Sequence, residues 1–266
     1  MEQETLGLRL HGTVVVTGAG SGIGRASALA AGRLGAAVGA LDLNRAAAEA
    51  TAAEALDLGS PGAIGLECDV REEASVAAAI SVAAERLGPI RGLATCAGIE
   101  RHAVVHELDW SEWSDVVGTN LNGTFLTCKH VLGSMVEHGQ GGSIVCISSA
   151  LATVSIPGGF GAYSASKGGV SALVRSMALD YAAFSIRVNA VVPGATETPL
   201  MWSMTPPEDV PAERAAVEAK VALGRLAEPE EIAVAITWLL SDQATYVTGS
   251  HLYADGGLTA RAVIDS

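Results

Sequence analysis

Tyr163 and Lys167 stand four residues apart in Ala162-Tyr163-Ser164-Ala165-Ser166-Lys167-Gly168-Gly169-Val170. Val170, Leu173, Val174 and Met177 follow at apolar helix spacing, so both side chains project from one face of a helix. A free phenol titrates near about 10, too high for easy proton exchange at neutral pH, and an ammonium group beside it favours the phenolate. A tyrosine so tuned can act as general acid or base toward a carbonyl or a hydroxyl. The same spacing also suits a packed ring beside a solvated amine, so the pair needs company before it signifies chemistry.

That company begins at Thr17-Gly18-Ala19-Gly20-Ser21-Gly22-Ile23-Gly24. Glycines here let the backbone turn sharply and approach a pyrophosphate, whose charge suits the N-terminus of the next helix. The turn follows an apolar strand and opens a helix, the context in which such a motif binds a dinucleotide. Asp42 closes the second strand at the distance expected of an acid that accepts the ribose hydroxyls. A 2′-phosphate in its place would face a like charge, costing about 4 kcal/mol at 4 Å and an effective dielectric of 20. Ser21 offers no positive charge to offset that, so NAD is expected rather than NADP. Arg45 could compete for the phosphate, or be a solvated helix residue.

Elements that could position these groups alternate regularly. Strands are predicted at Thr13–Thr17, Ala37–Leu41, Ala63–Cys68, Gly92–Thr95, Ser143–Ser148, Ile186–Val192 and Ser250–Ala254. Between them lie helical patterns from about Ile23 to Leu34, Arg45 to Leu56, one striped by Val76, Ile80, Ala84 and Leu87 and stopped at Pro89, and Trp110 to His138 with an interruption near Asn120. Continuous apolar strands separated by helices predict an α/β, single-domain doubly wound Rossmann fold over 1–266, a seven-stranded parallel sheet covered on both faces. A closed eight-unit barrel competes, but no eighth unit is visible. The irregular stretch 195–225, with Pro206, Pro207 and Pro211, is read as a lid or substrate loop.

The chain has 266 residues and a formal charge of −13. No Lys/Arg cluster answers the phosphate backbone of a nucleic acid. Cys68, Cys96, Cys128 and Cys146 are widely spaced and read as reduced thiols of a cytoplasmic protein, and no histidine pairing suggests a metal. Met1–Thr5 lacks the pattern of a signal peptide, and no apolar run is long enough to span a membrane.

Taken together, these residues resemble the short-chain dehydrogenase/reductase family over essentially the whole chain. Gly18, Gly22 and Gly24 are similar to its cofactor turn, Tyr163 and Lys167 to its catalytic pair, Ser149 to its catalytic serine and Asn120 to the asparagine that completes the tetrad. Pro193-Gly194 with Thr196, Thr198 and Pro199 resembles the segment that holds the nicotinamide. Asp69, beside Val70, matches the acid that meets the adenine amine, and Leu43, Ala97 and Gly98 would line the remaining nucleoside. The resemblance implies hydride transfer to or from NAD, with Tyr163 exchanging the proton on the substrate oxygen. Lys167 would lower the Tyr163 pKa and bind the ribose, Ser149 would orient the substrate, and Asn120 would hold a relay water.

The chain departs from the family in two places. Thr95-Cys96-Ala97-Gly98 stands where Asn-Asn-Ala-Gly is usual, so Cys96 must leave a strand-tying role to another group. Ser149 also lies fourteen positions before Tyr163, one more than usual, with the surplus expected in Gly158-Gly159-Phe160-Gly161. Ser148 is the fallback, although on a strand it would face the other way. Ser149, Leu151, Phe160, Tyr163, Met201 and Trp202 are the expected substrate contacts, with Ala150, Ala152, Gly159 and Met204 as further candidates. Met201 and Trp202 could equally be packing the lid. Glu100 and His102 could reach the rim, or be solvated. A homotetramer is implied, with Ala172, Met177 and Ala178 offered as its surface. The leading function is an NAD-dependent secondary-alcohol dehydrogenase. An NADPH-dependent ketone or 3-oxoacyl reductase and a non-catalytic dinucleotide binder are the alternatives.

Overall fold

The computed structural model describes residues 7–260. The Met1–Thr5 start, expected to carry no leader, lies outside them. Five wholly buried residues form β1 (Thr13–Thr17). Val15 faces one apolar cluster while Val14 and Val16 face another, because successive side chains leave a strand on opposite sides. The same division recurs in β2 (Ala37–Asp42), β5 (Gly142–Ile147) and β6 (Ile186–Pro193), where Leu41, Ile144 and Val188 join one cluster and Val38, Val145 and Val191 the other. An uninterrupted apolar run is thus the signature of a strand covered twice.

With β3 (Ala63–Glu67), β4 (Ile90–Thr95) and β7 (His251–Ala254), the sheet has seven strands in the order β3-β2-β1-β4-β5-β6-β7. Every pairing is parallel. The sheet is open at both edges, which excludes the barrel. The chain winds outward from β1 to β3, then returns to start the other half at β4, leaving a crevice at the carboxyl ends of β1 and β4. Three helices supply the first cluster: α3 (Glu73–Leu87), α5 (Gly123–His138) and α6 (Gly161–Tyr181). The second receives α1 (Gly22–Arg33), α2 (Arg45–Asp57) and α8 (Pro229–Leu240). None of these helices is long and apolar enough to cross a membrane.

Several sequence expectations need adjustment. β4 begins at Ile90 rather than Gly92, because Gly88 and Pro89 end α3 and the next residue already pairs with Thr13. The interruption near Asn120 is not a break: α4 (Trp110–Val117) runs through a π-helical turn, Gly118–Asn122, directly into α5. Part of the lid is ordered as α7 (Val210–Glu218), with Pro211 in its first turn. Met177 and Ala178 cannot form an assembly surface, since both lie in the core against the sheet; Ala172 is exposed.

One close approach fixes the layer spacing at the β3 edge. A Cβ on Gly65 would lie 2.3 Å from the Glu49 backbone nitrogen and 2.4 Å from the Ala48 carbonyl carbon, both in α2. Gly65→Ala is expected to destabilise the fold by about 1–3 kcal/mol, since the helix must move to admit the methyl group. Thermal unfolding checks this; an unchanged midpoint would show that α2 shifts freely.

Candidate active site

A cleft of about 460 Å³ opens at the carboxyl ends of the strands. It is lined on one side by Gly18, Ser21, Gly22, Ile23, Gly24, Asp42 and Leu43, and on the other by Ser149, Tyr163, Lys167, Pro193, Gly194, Thr196 and Thr198. Asp69, Val70, Ala97 and Gly98 complete its floor. The topology alone brings these distant segments together.

The glycine turn leaves no room for side chains. A Cβ on Gly24 would sit 2.1 Å from the Gly18 carbonyl oxygen, and one on Gly18 would sit 2.8 Å from the Ala97 backbone. Ser21, the residue before α1, makes no side-chain cap, and no acid occupies the first helical turn. The N–H groups at that end therefore face the cleft without a side-chain acceptor, as an anion site requires. Gly20 does not line the cleft; its N–H donates to Asp42 Oδ2 at 2.8 Å, while Asp42 Oδ1 accepts from the Asn44 N–H at 2.8 Å. These two bonds fix the carboxylate at the mouth of the turn. Arg45 is turned away into an exposed pair with Glu49 at 2.8 Å. Asp69 accepts from the Arg71 guanidinium at 2.8 Å, and that hydrogen bond holds its carboxyl below the usual range. These residues fit an adenine dinucleotide: an uncapped helix end for its pyrophosphate and carboxylates for its ribose and base.

At the other end, Lys167 is buried, donates to the Ile147 carbonyl at 2.8 Å and lies 5.7 Å from the Tyr163 ring centroid. Burial lowers its ammonium pKa to about 8. Tyr163 lines the cleft, and burial pushes its phenol up to about 12. A hydrogen bond from Ser149 acts in the opposite direction, and the charge of Glu100 adds to the rise. The downward pull expected of Lys167 does not govern this phenol, because desolvation outweighs it and the ammonium is directed at a carbonyl. Ser149 also accepts from the Leu151 N–H at 3.1 Å. Ser148 instead bonds Ser171 at 2.7 Å, tying β5 to α6.

Asn120 is wholly buried and clamps Ile99 through the two peptide groups on either side of it. Its Oδ1 accepts from the Ile99 N–H at 2.8 Å, and its Nδ2 donates to the Ile99 carbonyl at 2.9 Å and to Ser166 at 3.1 Å. The role vacated by the missing asparagine falls to Thr17, whose hydroxyl accepts from the Ala97 N–H at 3.3 Å and whose carbonyl accepts from Cys96. The four cysteines are free thiols; Cys68, Cys128 and Cys146 are buried and Cys96 lines the cleft.

Of the expected substrate residues, Ser149, Tyr163 and Met201 line the cleft, whereas Leu151, Phe160 and Trp202 are set back from it. Trp202 donates to Glu197 at 2.7 Å and carries the Arg214 guanidinium over its ring, so it braces the lid. Phe160 packs on His102, ring centroids 4.3 Å apart. Glu100 faces the cleft with its side chain only 12% exposed, and burial raises its carboxyl to about 7. Its sequence position, two residues past Gly98, was the only available signal.

Comparison with known proteins gives a consistent picture. Residues 18–259 match the family model described as enoyl-(acyl carrier protein) reductase. The chain is 41% identical over 248 residues to 2-(S)-hydroxypropyl-CoM dehydrogenase 3 of Xanthobacter autotrophicus, covering 93% of this chain and 96% of that one. It is 44% identical over 247 residues to cis-4-hydroxycyclohexanecarboxylate dehydrogenase of Sinomonas cyclohexanicum, covering 92% and 96%. A crystal structure of a short-chain type dehydrogenase/reductase from Mycobacterium marinum superposes with a TM-score of 0.87 at 31% identity, covering 96% of this chain and 97% of that one. With this fold, this cleft and these relatives, the chain belongs to the short-chain dehydrogenase/reductases, oxidoreductases that bind a nicotinamide dinucleotide.

Proposed function

We propose that the protein is an NAD-dependent dehydrogenase that interconverts a secondary alcohol and a ketone. The observation that carries this reading is the convergence of Tyr163, Ser149 and Lys167 on one cleft whose other end is an uncapped helix N-terminus guarded by Asp42. The relatives named for 2-(S)-hydroxypropyl-CoM and cis-4-hydroxycyclohexanecarboxylate support oxidation of a secondary alcohol.

In the oxidative direction, Tyr163 as phenolate takes the proton of the substrate hydroxyl while the carbinol hydrogen leaves with its electron pair. The bound nicotinamide supplies the hydride acceptor and, when oxidised, a positive charge that favours the phenolate. Ser149, which lines the same cleft as Tyr163, orients the substrate oxygen. Lys167 has N–H groups beyond the one given to Ile147, and these would hold the nicotinamide ribose. Asn120 acts as a positioning residue, and a relay water would use the lone pairs its amide oxygen and carbonyl retain beyond Ile99 and Thr124. A homotetramer in the cytoplasm is part of the same reading.

The test is a panel of cyclic and acyclic secondary alcohols, offered with NAD+ and with NADP+ and followed at the absorbance of the reduced cofactor. Reduction of NAD+ by at least one alcohol is expected. Turnover with NADP+ alone would favour the ketone or 3-oxoacyl reductase reading, and cofactor binding without turnover would favour a non-catalytic binder.

A further inference from the structure

The cleft holds a carboxyl group that the hydride-transfer chemistry does not use. Glu100 follows Ile99, whose two flanking peptide groups are clamped by Asn120, so its backbone is fixed relative to α6. Among the described residues, no donor hydrogen-bonds its carboxylate. Arg101, the adjacent guanidinium, bonds the Glu100 main-chain carbonyl at 2.7 Å instead. The nearest cationic candidate, His102 Nε2, is 3.4 Å from Oε1, too far for a strong hydrogen bond.

The surplus residue of the loop before α6 explains this wall. Gly159 accepts from the Ala103 N–H at 3.1 Å, and a Cβ there would lie 2.6 Å from the Ala103 backbone. That contact seats Phe160 against His102, and His102 beside Glu100. The charged or titratable groups that act with Glu100 are thus Arg101 and His102 from its own loop and Tyr163 from α6. Glu213 of α7 acts on His102 from the lid side. Burial lowers His102, so it offers no firm positive charge.

We infer that Glu100 is a substrate-binding residue that accepts a hydrogen bond from a second hydroxyl group, so that the site selects diols and polyols over simple alcohols and over hydroxy acids. This rests on the alcohol-dehydrogenase reading and names its substrate class. A largely buried acceptor without a donor is costly to desolvate further, and a substrate hydroxyl relieves that cost at the moment of binding. Glu100 and Tyr163 line the same cleft, so one small molecule can present its reacting carbon to Tyr163 and a second hydroxyl to Glu100. A substrate carboxylate would meet the like charge of Glu100, which lines the cleft.

The experiment compares 2-butanol, butane-2,3-diol, butane-1,3-diol and 3-hydroxybutyrate, with cyclohexanol and cyclohexane-1,2-diol as the cyclic pair, in the wild-type enzyme and in Glu100→Gln. The wild-type ratio of kcat/KM for the better diol to that for its mono-alcohol is expected at about 10- to 100-fold, the range of a hydrogen bond to a charged group. In Glu100→Gln this ratio falls by about tenfold or more, chiefly through the KM of the diol. Should that variant not fold, the wild type still decides: the ratio rises between pH 6 and 8 as the carboxyl ionises through about 7 and becomes the stronger acceptor. Turnover of mono-alcohols with a ratio near one, or a preference for 3-hydroxybutyrate, overturns the subsite and leaves the dehydrogenase standing. No turnover of any alcohol removes both.

Discussion

Tyr163→Phe is expected to lower turnover by about 10²–10⁴, the usual contribution of a positioned acid or base, while NAD+ binding changes by less than about threefold. The ring that lines the cleft is retained in this variant, so its packing and the 5.7 Å approach of Lys167 are undisturbed. What disappears is the hydroxyl that would exchange the substrate proton. Burial raises that phenol to about 12, so in the free protein it keeps its proton at any physiological pH. Alcohol oxidation requires the phenolate; the wild-type rate should therefore climb with pH, and the residual rate of the variant should lose that dependence. Stopped-flow hydride transfer with fluorescence titration of the cofactor measures both quantities. Wild-type-like turnover in the variant would remove Tyr163 from the reaction.

Asp42→Ala is expected to shift the ratio of kcat/KM for NADP+ to that for NAD+ by about 10²–10³ toward NADP+. The magnitude follows from the repulsion of a 2′-phosphate by a carboxylate, about 4 kcal/mol at 4 Å and an effective dielectric of 20. Total activity should also fall, because Gly20 loses the acceptor at 2.8 Å that shapes the turn. Arg45 does not compensate in the wild type, as it is engaged with Glu49. Steady-state kinetics with both cofactors decides; unchanged discrimination would mean that the ribose lies elsewhere.

How much of this could be read from the amino acids depended on whether burial left a local pattern. β1, β5 and β6 were legible because a strand covered on both faces must be apolar throughout, and Val14-Val15-Val16 admits little else. The start of β4 was not, because Arg91 and Gly92 interrupt the run and only pairing with β1 makes them a strand. α7 escaped for a related reason: none of its residues is buried, so there is no apolar stripe to give it a period. The order of that segment comes instead from the ion pair of Arg214 with Glu197, far away in sequence. The catalytic residues were found through motif spacing. Glu100 was left open between rim and solvent, because its loop is placed by Asn120 holding Ile99 and by Phe160 packing on His102, contacts that no local pattern records.

The π-helical turn at Gly118–Asn122 has a consequence for how this chain can vary. In an ordinary helix each residue advances the side chains by about 100° around the axis. The wider turn absorbs one position, letting α4 bury Val116 and α5 bury Cys128, Val131 and Met135 while Asn120 points at Ile99 between them. Deleting any single residue there would restore a regular spiral and rotate the two segments out of phase. Either the greasy side of α5 or the amide beneath Ile99 would then swing away from its target. Length at this point is therefore less negotiable than residue identity, and variants should tolerate substitution far better than shortening.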